Sequence, residues 1–156
     1  MKILFWSSDK WIGRLIQFFT GSRWTHVAIE IEGFVWESAI EGAQVSEKSG
    51  YQISKVPVRP LTDRELHDIW YYCARAVRHG WPYNFCKIVA LAVVYPTRWV
   101  WRRLGWVPFD RDVYGETCSG FVDEAFKVAG IDLLPLEHEG YTSPGDIWDS
   151  KFLEDG

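Results

Sequence analysis

Residues 25–39 read THVAIEIEGFVWESA. Val27, Ile29 and Ile31 alternate with His26, Ala28 and Glu30, the period of a strand with one buried face. Glu32-Gly33 follows as a two-residue turn signal, because glycine tolerates the positive φ that such a turn demands. Apolar residues resume at Phe34. The spacing predicts a β-hairpin in which Ile31 opposes Phe34, Ala28 opposes Glu37 and His26 opposes Ala39. His26 and Glu37 then lie diagonally on the face away from the main apolar row, with α carbons roughly 7–8 Å apart. Ala28 and Ala39 leave room on that face for another element to dock, and the helix beginning at Cys118 is the candidate.

Working outward, KILFW (residues 2–6) reads as a first strand. Ile12, Leu15, Ile16 and Phe19 fall at i, i+3, i+4 and i+7, one helical stripe closed by Gly21. ISKVPVRP (residues 53–60) reads as another strand, which Pro57 confines to an edge or an irregular position. TDRE (residues 62–65) is a capping box. The helix behind it carries Leu66, Ile69, Trp70, Cys73 and Val77 on one face and should stop near Gly80. Residues 82–96 read as a second, mostly buried helix. Thr117 caps a further helix from Cys118 to about Ala129, ended by Gly130. SPGDIWDSKFL (residues 143–153) reads as an ordered loop closing on a last short strand or turn. The order implies an α+β fold, a small antiparallel sheet with helices at one side.

The length, 156 residues, suits one domain with one sizeable core. The net charge of −4 gives no general attraction to nucleic acid. The start, MKILFWSSDKW, has too short an apolar run for a signal-peptide core, and IVALAVVY (residues 88–95) is far shorter than a bilayer span. A cytoplasmic location is therefore expected, compatible with delivery by a phage or another secretion route. Ten tryptophans are unusual and tend to line clefts, interfaces or membrane-facing surfaces. Three cysteines form no disulfide framework.

Cys118 opens an apolar stripe continued by Phe121, Val122, Ala125, Phe126 and Ala129. At a helix N-terminus the unpaired N–H groups and the dipole favour a thiolate. A cysteine in that place can equally be plain core. Cys73 and Cys86 fall within apolar helical faces and read as inert. Among four histidines, His67, His79 and His138 read as surface residues. His26, oriented by Glu37 through one ring nitrogen, has the other free to take a proton from a thiol. A cysteine, a histidine and a carboxylate supply the nucleophile, base and orienter of acyl transfer. The plain alternative is a half-buried strand histidine beside a carboxylate. His67, Cys73, His79 and Cys86 are spaced by 6, 6 and 7 residues, which offers no metal-ligand pair. No metal or organic cofactor is expected.

The blocks FFTGSRWTHVAIEI, WESA, ETCSGFVDEAFKVAGIDLLP and SPGDIWDS together resemble the circularly permuted papain-like cysteine hydrolases. These are the YiiX/YaeF-like relatives of the NlpC cell-wall peptidases and of lecithin retinol acyltransferase. The order His26, Glu37, Cys118 matches the inversion that marks the permuted group. The resemblance implies a small antiparallel sheet or half-barrel packed against the nucleophile helix. It implies Cys118 as nucleophile, His26 as general base and Glu37 as the polar third member. It places Tyr83, in PYNF, at the same cleft, with a core aromatic as the equal alternative, and puts Ser119 beside the substrate. The substrate it implies is an amide bond of a peptide or peptidoglycan-type peptide, or else a lipid acyl group. Trp99, Trp101 and Trp106 among Arg98, Arg102 and Arg103 suit a headgroup interface, against the plainer reading of a packed loop with arginines lying over rings. A catalytically silent peptide- or lipid-binding module is the remaining class.

Overall fold

The computed structural model describes residues 1–47, 50–84, 86, 87, 97, 116–134 and 142–156. The elements are β1 (Lys2–Trp6), α1 (Trp11–Thr20), β2 (His26–Ile31), β3 (Phe34–Ala39), β4 (Gly42–Ser46), β5 (Ile53–Pro57), α2 (Asp63–Arg78), α3 (Cys118–Val128), α4 (Pro144–Trp148) and β6 (Leu153–Asp155). The strands form one antiparallel sheet in the order β4-β3-β2-β1-β5-β6. This is the α+β arrangement expected from the sequence.

Near the turn the hairpin register is the predicted one, with Ile31 opposite Phe34 and Ile29 opposite Trp36, but the ladder stops there, so the expected pairs Ala28–Glu37 and His26–Ala39 do not form. Glu32 and Gly33 take φ of 53° and 85°, so both turn residues are left-handed, as a turn matched to strand twist requires. The sheet then continues through β4, which the sequence reading did not separate. Pro57 sits in β5, an interior strand flanked by β1 and β6, and not at an edge. Its position explains the tolerance. The Val58 N–H donates toward β6, to Phe152, so the Pro57 nitrogen faces β1. The register of Ile3 opposite Lys55 carries Pro57 past the first residue of β1, and no ladder bond is lost there.

One face of the sheet carries the main core. Ile3, Phe5, Val27, Ile29 and Ile31 pack with Ile69, Tyr72, Cys73 and Ala76 of α2 and with Phe121, Val122, Ala125 and Phe126 of α3. The other face holds only a small cluster, Leu4, Ala28 and Val35, with Tyr51 against it. Helix α2 begins at the capping box, where Thr62 and Glu65 satisfy each other's backbone N–H. Its buried stripe is Ile69, Tyr72, Cys73 and Ala76. Trp70, expected on that face, is 43% exposed instead and meets Trp36 edge-on. Helix α1 ends as expected, at Gly21 with φ of 65°. Its stripe is not a core stripe, since Leu15 is exposed and Ile16 and Phe19 are only partly buried. Residues 82–84 open no helix. Tyr83 makes a parallel bridge with Glu116; Cys86 and Lys87 are helical, and Cys86 is exposed, not inside an apolar face. Residues 88–95, the tryptophans at 99, 101 and 106, and His138 lie outside the described residues. The 143–153 tail forms α4 behind a second capping box, Ser143 with Asp146, before β6. Among the described residues, no helix is long and apolar enough to cross a membrane.

Candidate active site

The site is built where β2 and β3 part. Their ladder ends at the Ile29–Trp36 pair, and His26, Val27 and Ala28 have no partner on β3. The N-terminus of α3 takes up that opening. Ser38 of β3 donates to the Glu116 carbonyl at 2.8 Å. The N–H groups of Val27 and of Ser119 are directed at the Cys118 sulfur. The body of α3 therefore packs on the Val27 face, not on the Ala28/Ala39 face expected from the sequence. Only its first residue reaches His26. Thr117 caps the helix by accepting from the Gly120 N–H, which leaves the first turn in register to aim its N–H groups at the sulfur.

The His26 Nε2 lies 2.5 Å from Glu37 Oε2. Nδ1 is left for Cys118, with which His26 is hydrogen-bonded. Burial disfavours charge on His26, but the Cys118 sulfur and then Glu37 outweigh it and hold the imidazole proton up to about 10. Burial likewise disfavours a Cys118 thiolate. The His26 charge and hydrogen bond, with the Val27 and Ser119 N–H groups, reverse that and lower the thiol below its ordinary value. Glu37, also disfavoured by burial, is held at about 2 by hydrogen bonds that include those from His26 and Tyr51. Cys73 has burial without a charged partner, and its thiol is pushed up to about 12. The imidazole and the thiol thus each favour the charged form of the other, and Glu37 is held as a carboxylate.

Two residues that the sequence reading missed support Glu37. Tyr51 donates to Oε2 at 2.7 Å and Gln44 to Oε1 at 3.2 Å. Gln44 lies on β4, whose alternation after Glu41-Gly42 repeats the Glu-Gly signal at residues 32–33 and was there to be found. Tyr83 is placed at the site by its bridge to Glu116 and hydrogen-bonds the Cys118 sulfur. Ser119 stands apart: its hydroxyl is buried and donates to the Thr142 carbonyl at 2.5 Å. Only its backbone N–H faces the sulfur. A cleft of about 680 Å³ opens beside these groups, lined by His26, Glu37 and Tyr83, by Trp6, Tyr51, Ala39 and Ile40, and by Trp11, Gly13 and Ile16 of α1. The space left by Ala39 is thus cleft and not a helix-docking site. Cys118, 4% exposed, lies behind His26 and Tyr83.

The sheet thus carries α2 and α3 on one face, and Cys118, His26 and Glu37 meet at the splay of β2 and β3. Among solved structures, the chain is similar in fold to the metalloprotein YiiX of Escherichia coli O157:H7. The TM-score is 0.64 over 99% of this chain and 94% of that one, at 15% identity. No family model and no curated protein matches the sequence. That neighbour is named for a metal. Among the described residues here, no group of three or more His, Cys, Asp or Glu side chains is placed to hold a metal ion. His26 has both ring nitrogens engaged, by Glu37 and Cys118.

Proposed function

We propose that this protein is a cysteine-nucleophile hydrolase that cleaves an amide bond, in a peptide or peptidoglycan-type peptide, through a thioester acyl-enzyme. The observation that carries the reading is the Cys118–His26–Glu37 cluster, a lowered thiol joined to a raised imidazole that a carboxylate orients. The Cys118 thiolate attacks the carbonyl carbon, and the carbonyl electron pair moves to oxygen. The Cys118 N–H, at the start of α3, and the Tyr83 hydroxyl are the donors for that oxyanion. The intermediate collapses, the C–N bond breaks and His26 gives its proton to the leaving amine. Water then attacks the thioester, His26 takes its proton, and the acid leaves with Cys118 restored as thiolate.

The cleft walls favour one further reading. Trp6, Trp11, Ile16 and Ile40 suit an apolar acyl group, so the same steps would serve a lipid acyl ester or amide. A fatty-acyl p-nitrophenyl ester set against a peptidyl anilide separates the two.

The deciding experiment is iodoacetamide alkylation as a function of pH. Cys86 is exposed and would label on its own account, so a Cys86→Ser background is used. Cys118 is expected to react with an apparent pKa well below the ~8.5 of a free thiol, and His26→Ala to raise it. A Cys118 that titrates as a free thiol, unmoved by His26→Ala, would end the hydrolase reading in favour of a binding module.

A further inference from the structure

Helix α1 is built inside out. Toward the body it presents small or polar residues: Gly13 and Thr20 are buried, and Gln17 donates to the Ser7 hydroxyl at 3.0 Å and to the Arg23 carbonyl at 2.9 Å. A Cβ on Gly13 would stand 2.3 Å from the Ser8 carbonyl oxygen, so the helix lies flat against the chain that precedes it. Three of its large apolar side chains point outward, while Ile16 and Phe19 are half-buried. Trp11 is 71% exposed, Leu15 46% and Phe18 80%. At i, i+4 and i+7 they form one stripe, which a surface helix ordinarily buries. With ~150–250 Å² for each aromatic side chain, the stripe exposes on the order of 400 Å², a size at which patches mark contact sites.

The charge on the helix itself is basic. From residue 10 to residue 24 the chain carries Lys10, Arg14 and Arg23 and no acidic residue, although its net charge is −4; Asp9 precedes the helix, and Glu41 and Glu47 stand on the cleft side of it. Lys10 and Arg14 are exposed, and Arg14 sits between Trp11 and Phe18 along the helix. An exposed apolar stripe with cations beside it fits an apolar medium under a negative surface. We infer that α1 docks the protein on an anionic lipid bilayer. Trp11, Leu15 and Phe18 enter the interface, and Lys10 and Arg14 meet the headgroups. This surface stands whether or not Cys118 is a nucleophile. Trp11, Gly13 and Ile16 also wall the cleft, so docking brings the cleft to the membrane face.

The test is co-sedimentation with vesicles of phosphatidylcholine alone and of phosphatidylcholine with a third phosphatidylserine. Wild type is expected to bind the anionic vesicles and to be released by high salt. Leu15→Ser with Phe18→Ser, neither of which lines the cleft, is expected to weaken partitioning by at least about tenfold. Lys10→Gln with Arg14→Gln should cost about fivefold per cation on anionic vesicles and nothing on neutral ones. The inference is overturned if wild type binds neither vesicle, or if neither variant pair changes the binding. It is equally overturned if wild type is a dimer that Leu15→Ser with Phe18→Ser makes monomeric, since a second copy then covers the stripe. Were the apolar pair to fail to fold, as judged by circular dichroism, the charge pair carries the test.

Discussion

At the scale of single residues, the chemistry turns on how Glu37 keeps its charge while buried. It faces three donors, from His26, Tyr51 and Gln44, and a carboxylate so surrounded stays ionised at a desolvation cost that the donors offset. The donors do not have equal consequences. Glu37→Gln removes the carboxylate from His26 and is expected to bring the imidazole down from about 10, read by NMR titration of the ring protons. It should also slow Cys118 alkylation at neutral pH. Tyr51→Phe leaves the carboxylate in place. It is expected to cost ~1.5–3 kcal/mol in denaturant unfolding, the worth of a hydrogen bond to a charged group, with the His26–Cys118 pair retained. An unmoved His26 titration in Glu37→Gln would mean the pair does not depend on Glu37. The His26–Glu37 contact was legible in the sequence because hairpin register is arithmetic on one turn. Tyr51 was not, because it comes from the segment before β5, which β1 holds in place through the Gln52 N–H to Phe5 contact.

At the scale of elements, period and caps carried most of the reading. Helices α2 and α3 begin at the caps Thr62 and Thr117, and α1, α2 and α3 end at or just before Gly21, Gly80 and Gly130. What periodicity could not say is which face of the sheet a helix would take. Helix α3 approaches the strands through the Ser38–Glu116 contact, made 78 residues apart in the chain, and no local signal marks where β2 and β3 part. The inverted α1 was hidden for a related reason: a stripe at 3.6-residue spacing looks the same whether it meets a core or solvent. The caps themselves permit a controlled comparison. Thr117→Ala and Thr62→Ala each remove a capping side chain and should each cost about 1 kcal/mol in thermal or urea unfolding. Only Thr117→Ala loosens the turn that aims the Ser119 N–H at sulfur. It alone is expected to raise the apparent pKa of Cys118, so equal effects from both variants on alkylation would deny the helix N-terminus its electrostatic role.

At the scale of the whole molecule, the thiolate–imidazolium pair links the site to stability, and the sign follows from proton counting. Glu37 is held at about 2 against an ordinary 4.5. Its contribution is present above about 4.5 and lost as pH falls through 2. His26 is held at about 10 against an ordinary 6.5, so its contribution is full below 6.5 and lost as pH rises through 10. Cys118 is lowered from 9.0, so its contribution is full above 9 and lost as pH falls through its folded value. Between the folded Cys118 value and 9, the His26 contribution falls and the Cys118 contribution rises with pH, so the two oppose each other. Above 9 the unfolded chain has lost both while the folded pair keeps one, and stability falls with rising pH. Thermal melts of wild type are therefore expected to lose stability as pH rises from 9 through 10 and, through Glu37, as pH falls from about 4.5 through 2. Cys118→Ser removes the thiolate that raises His26, and its alkaline loss of stability should move to lower pH. If the difference between the two melting profiles were constant from pH 5 to 10, the pair would be neutral in the folded protein, and the cluster would be a hydrogen-bonded thiol and imidazole rather than an ion pair.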